Sequence, residues 1–387
     1  MAEPTALVAQ QAEPPLPRPD PNRERDAPPL VREPDSARMA EPTEECTTSE
    51  DGTETACIRR LDPEASAQLR QSAAPSMGAR YPTCRTPRQI YFFRDEVCAN
   101  FAYSYVLTRT VNGTPTVVGR ADFETWRYSY TSADLANWSH ELGMEVVASS
   151  GEAVGATLDG FAVAGGACST GADSTIGGVG LGTGKQFIGT GNIRSNSTEI
   201  GSWGYCSANW TVSATAPSGV RASITDWNEP GVRCDNYLSY QTRRPGCVVP
   251  QYPEAVSYDA LPDLANHVLQ AQQSGLPGAT VDNPLVKADD ATTARNRQLA
   301  CGDAPSIAGR SCDEYPVATS KQGLTAGGER RTFDQCSFPN IGAGSGASGV
   351  SVCMVPERQQ FSQGGLNSAF FREWRVFVDD PFRVVVR

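Results

Sequence analysis

Twelve cysteines, scattered singly along 387 residues with no CxxC pair, constrain this chain more than any other feature. An even number of separated cysteines suits a disulfide framework made in an oxidising compartment. The other common use, a structural zinc site, needs closely spaced Cys and His ligands. Only two histidines exist, His140 and His267. Pairing Cys168 with Cys206, Cys234 with Cys247, Cys301 with Cys312 and Cys336 with Cys353 fits the segments they bracket, though spacing leaves connectivity open. A secreted protein is the expectation, although no signal peptide is visible after Met1-Ala2-Glu3-Pro4. No apolar run reaches 18 residues, so no membrane-spanning helix is expected.

Composition shifts divide the chain. Residues 1–80, rich in Pro, Glu, Asp, Arg and Ser, lack sustained periodicity and read as a disordered or extended tail with a small Cys46/Cys57 loop. Residues 84–255 read as a β-rich accessory domain, an antiparallel sandwich or barrel. Gln89-Ile90-Tyr91-Phe92-Phe93 and Ala102-Tyr103-Ser104-Tyr105-Val106-Leu107 are strand-like, and Asn112-Gly113 marks a hairpin turn. The glycine run from Gly177 fails as a phosphate loop: Val179 stands where a glycine is needed, and Gln186 follows Lys185. It reads as a β–β connection. Residues 256–284 read as a helical linker, with Leu264, His267, Val268 and Ala271 at helical spacing and Gly275 as the cap. His267 falls on the apolar face and reads as a packing residue.

The chemistry gathers at Ser311-Cys312-Asp313-Glu314-Tyr315-Pro316-Val317-Ala318-Thr319-Ser320. The proline fixes its own φ and biases Tyr315 towards extended backbone. A disulfide at Cys312 would hold the carboxylate pair from the other side. Such a pair can ligate a hard cation or take a proton from water; the bland alternative is a solvated acidic turn. The net charge of −11 argues against tight passive binding to nucleic acid. Residues 285–387, however, carry 12 Lys/Arg against 11 Asp/Glu, enough to gather Arg297, Arg330, Arg331 and Arg375 near a phosphate.

From Pro284 to Arg387 the chain resembles the NucA/NucB deoxyribonucleases, small secreted bacterial endonucleases. Arg295-Asn296-Arg297 leads to Cys301 and the Cys-Asp-Glu-Tyr-Pro-x-Ala-Thr-Ser core. Then follow Cys336, Cys353-Met354-Val355-Pro356, Gly364-Gly365-Leu366-Asn367 with Phe370-Phe371, Arg375-Val376, and Asp379-Asp380-Pro381-Phe382-Arg383-Val384. The resemblance implies a small disulfide-bonded α+β domain over 285–387 that hydrolyses DNA non-specifically with Mg²⁺ or Mn²⁺, as a monomer. It implies Asp313 as general base and Glu314 as metal ligand or its partner, with the two roles exchangeable. Arg297, Arg375 and Arg330 would meet the phosphate, and Gln360 and Asn367 would complete the metal donors.

Two positions depart from the family pattern. Gln322 stands where an acidic residue usually precedes glycine, and Gln360 stands where the family has Asn, reaching one methylene further. These departures support the rival expectation of a catalytically impaired secreted protein that binds DNA, cell wall or another protein. In that case the β-rich region holds a ligand of its own.

Overall fold

The computed structural model describes residues 16–20, 23–33, 44–72, 77–84, 86–225, 231–237 and 244–387. Its first part consists of β1 (Leu30–Arg32), β2 (Glu44–Thr48), β3 (Glu54–Arg60), α1 (Pro63–Ser72), β4 (Ile90–Phe93), β5 (Glu96–Val111), β6 (Thr114–Tyr130), β7 (Asn137–Gly151) and β8 (Thr157–Gly166). There follow β9 (Cys168–Thr170), β10 (Thr175–Gly180), β11 (Gln186–Ser195), β12 (Trp203–Thr215), β13 (Arg221–Thr225), β14 (Val232–Asp235) and β15 (Gly246–Val248). Asn112 and Gly113 take φ of 52° and 76° and turn β5 into β6, the backbone such a hairpin demands.

Two antiparallel sheets stack over one core. One runs β1-β4-β5-β6-β7-β11-β9, with the β2–β3 hairpin on the free length of β5; the other runs β10-β8-β12-β14-β15, with β13 beside β12. Leu142, Met144 and Phe187 of the first sheet pack with Leu158, Ala208 and Trp210 of the second. Alternation with period two puts these side chains inward.

Residues 44–72 correct the expectation of a tail. Alone they could not offset their ordering entropy, but β5 offers them a ladder and a core face. Glu54, Ala56 and Ile58 turn inward, Cys46 and Cys57 sit opposite each other and are bonded, and Arg109 pairs with Glu54. Residues 1–15, 21–22, 34–43 and 73–76 of the expected tail lie outside the described residues. All four expected cysteine pairings form, and Cys84–Cys98 adds a sixth bridge. Among the described residues no helix is long and apolar enough to cross a membrane.

The second part has its own apolar core. It contains β16 (Glu254–Ser257), α2 (Pro262–Gln273), β17 (Leu285–Val286), α3 (Asp290–Cys301), β18 (Arg310–Tyr315), β19 (Arg330–Arg331), β20 (Val350–Pro356), α4 (Glu357–Glu373) and β21 (Pro381–Val385). Two three-stranded sheets form, β16-β21-β17 and β18-β20-β19. The expected linker over 256–284 is corrected. β16 pairs in parallel with β21, and α2 buries Leu264, Val268 and Ala271 against Tyr315, Val355 and Val384. The helical pattern was right; its apolar face simply has a partner.

Buried arginines join the two parts. Arg94 and Arg233 converge on Asp380, with contacts of 2.8 Å and 2.6 Å. Arg375 pairs with Asp235 at 2.6 Å and donates to the carbonyl of Ala133. Gly278, under Tyr315, illustrates the packing limit. It has φ +112°, and a Cβ there would lie 2.4 Å from the Tyr315 hydroxyl. Gly278→Ala is expected to cost about 2 kcal/mol through backbone strain and overpacking, read as a lower urea midpoint with unchanged slope.

Candidate active site

Strand β18 projects Asp313 and Glu314 to opposite faces, as successive strand residues must. Asp313 is 1% exposed and both of its oxygens are engaged. Oδ2 lies 2.7 Å from His267 Nδ1, and Oδ1 accepts from Gln363 Nε2 at 3.0 Å. His267 Nε2 in turn lies 2.8 Å from Ser351 Oγ. With Nδ1 donating to Asp313, Nε2 accepts from the serine. Carboxylate, imidazole and hydroxyl therefore stand in the order used by serine hydrolases. Ser351 is fully buried and does not line the cleft, so no substrate reaches it. His267 is buried as expected, and both of its ring nitrogens are satisfied. Its partners lie 46 and 84 positions away, beyond the reach of local pattern reading.

Glu314, on the other face of the strand, lines a cleft of about 900 Å³ with Arg297, Gln360, Gln363 and Asn367, and Asp313 borders the same cleft. It is 4% exposed, and its Oε1 has no hydrogen-bond partner. Burial above all, then the neighbouring Asp313, pushes its carboxyl up to about 8, against the opposing pull of Arg297. The Cys301–Cys312 bridge ties α3, which carries Arg297, to β18, and Cys301 Sγ lies 3.4 Å from Glu314 Oε2.

The remaining expected site residues divide. Arg297 is exposed, lines the cleft and has no ion-pair partner among the described residues. Gln360 lines it too, with its Oε1 buried and unpartnered. Asn367 lines the cleft, but its Oδ1 accepts from the Tyr258 hydroxyl at 2.6 Å. That leaves an N–H donor rather than a metal-ligating oxygen, which corrects its assignment as a ligand. Arg330 is also corrected: it forks onto Asp303, donates to Ala300 O and does not line the cleft. Arg375 is corrected as well, since it is 1% exposed and committed to Asp235 at the junction of the two parts. Gln322 accepts from Val286 N at 2.9 Å, away from the cleft. The Gln359–Gly364 segment lies in the first turns of α4 despite Gly364.

The donor chemistry is hard oxygen. Three tight groups of His, Cys and Glu occur among the described residues, but each includes disulfide-bonded cysteines with no thiolate to offer. The cleft itself offers carboxylate and amide oxygens, the hard donors of Glu314 and Gln360. No family model matches this chain, and no curated protein or solved structure does either.

Proposed function

We propose that this chain is a secreted, divalent-cation-dependent endodeoxyribonuclease working at Glu314. One observation carries the reading: a carboxylate with a buried, unpartnered oxygen lines a cleft that also holds an uncommitted guanidinium. Glu314 gives up its own proton when a cation binds and, so ionised, accepts the proton of the attacking water. Arg297 meets a non-bridging phosphate oxygen, and the Asn367 amide donates to another. Asp313 positions β18 through His267 and Gln363 and holds negative charge beside Glu314. Glu314 and Gln360 fit a hard cation, and such a cation supplies positive charge to the phosphate and leaving oxygen when bound. The six disulfides suit the oxidising environment of secretion.

The rival reading, a non-catalytic binding protein, rests on Gln360, since Gln322 is not at the cleft. An inhibitory pro-segment gains no support among the described residues. Arg23 and Arg25 dock on Asp95 and Glu96, and none of the described residues before Lys287 lines the cleft.

Cleavage of single-stranded DNA and nicking of plasmid by the oxidised protein, with Mg²⁺, Mn²⁺ or chelator, test the proposal. Cleavage is expected in either metal and none in chelator; a folded sample inert in both metals overturns it. Arg297→Ala is expected to lower kcat/KM by roughly tenfold to a hundredfold through a lost charge-assisted contact. Arg330→Ala should stay within about threefold, because its partner is Asp303.

A further inference from the structure

Phe361, on the first turns of α4, is 72% exposed and lines the cleft. A large aromatic side chain left in water at the mouth of a polar cleft has no packing role to explain it. Three residues on, and so on the same helix face, Gly364 also lines the cleft. A Cβ built there meets nothing within 4 Å. Glycine weakens a helix interior relative to alanine, and no neighbour demands it here. The helix thus presents an exposed ring beside a bare stretch of its own backbone. Glu314, 4% exposed and with its buried Oε1 unpartnered, lines the same cleft and independently marks it as a ligand site.

Across the cleft stands Arg297 on α3. A nucleotide has two parts to satisfy, an anionic phosphate and an apolar planar base. Arg297 meets the first, and the Phe361 face with the Gly364 shelf fits the second. A base paired inside a duplex hides its faces in the stack, so only an unpaired base can lie on an aromatic ring in this way. We propose that Phe361 and Gly364 form a base-stacking site, and that the substrate of the Glu314 cleft is single-stranded DNA. The proposal rests on the nuclease reading for its cleavage but not for its binding.

The test measures cleavage of one labelled 20-mer as a single strand and as a duplex, alongside anisotropy of fluorescein-labelled oligo-dT in chelator. Wild type is expected to cut the single strand at least about tenfold faster than the duplex. Phe361→Ala should lose roughly tenfold or more in oligo-dT affinity and single-strand cleavage, with little change on duplex, and Phe361→Trp should restore both. Gly364→Ala should keep or raise Tm while cutting single-strand cleavage several-fold, a combination that a structural role for the glycine cannot give. Equal rates on both substrates, or a Phe361→Ala variant that matches wild type in binding and cleavage, overturn the stacking site and leave the nuclease intact. Oligo-dT binding that needs Phe361, from a protein that cuts nothing, leaves the stacking site standing and removes the nuclease. Neither binding nor cleavage removes both.

Discussion

Glu314→Gln is expected to abolish cation-dependent cleavage, a loss of about a thousandfold or more, within the range a positioned base contributes, while stabilising the cation-free protein at neutral and alkaline pH. The Glu314 carboxyl sits at about 8 in the fold against an ordinary 4.5, so the folded state holds its proton more tightly than the unfolded chain. The stability this confers is complete below about pH 4.5 and is lost as pH rises through 8. Each unit of that window is worth about 1.4 kcal/mol. Glutamine keeps the shape and never ionises, so its advantage over wild type should grow from pH 5 to 8 and then level off. Cation and proton compete for the same carboxylate. Below pH 8, cation binding should therefore release a proton, and apparent affinity should rise about tenfold per pH unit. Scanning calorimetry across pH, with and without Mn²⁺, reads the first effect, and titration calorimetry in two buffers of different ionisation enthalpy reads the second. A Tm difference between the two proteins that is flat with pH would sink the assignment.

Asp380→Ala is expected to be the most damaging substitution away from the cleft, costing about 3–5 kcal/mol. Its carboxylate takes Arg94 on one oxygen, Arg233 on both, and the amide of Phe377. Arg94 is fully buried and Arg233 is 2% exposed. Removing the acid leaves two buried cations facing each other at the junction of the two parts. Burial favours the neutral acid, but Arg94 and Arg233 outweigh it and hold the Asp380 carboxyl below its ordinary value. Its contribution is therefore whole above about pH 4 and is lost only as the pH falls further. Asp380→Asn should remove that acid sensitivity. Urea unfolding reads the loss, and adding Arg94→Met to Asp380→Ala should recover part of it, because one unpaired charge goes with the second change. A strictly additive double variant would mean that the charges are not coupled.

The β-rich half was legible because its cues are local. Alternating aromatic and β-branched residues and the Asn112-Gly113 turn need no distant partner to be read. The hairpin of β2 and β3 was missed for the opposite reason: its core face is completed by β5, some fifty positions on. The same limit governs the site. Asp313 and Glu314 stand out from their own neighbours in the sequence, as do the cysteines beside them. That one acid is committed to His267 and the other free is a fact of the fold, not of the motif. Arg330 and Arg375 looked like phosphate contacts because charge is visible in a sequence while its partner, Asp303 or Asp235, is not. Asn367 kept its place and lost its oxygen to Tyr258.

β16 and β21 lie side by side in parallel although the whole cleft-bearing segment is threaded between them. Contacts between such distant stretches form late, since the loop they close is long. A nascent chain on the ribosome can make β18, α3 and α4 and still lack the strand that joins β16 to β17. Glu314 and Arg297 would then be present without a settled scaffold. Any property that needs Glu314 and Arg297 held in one settled cleft therefore waits on the pairing of β21.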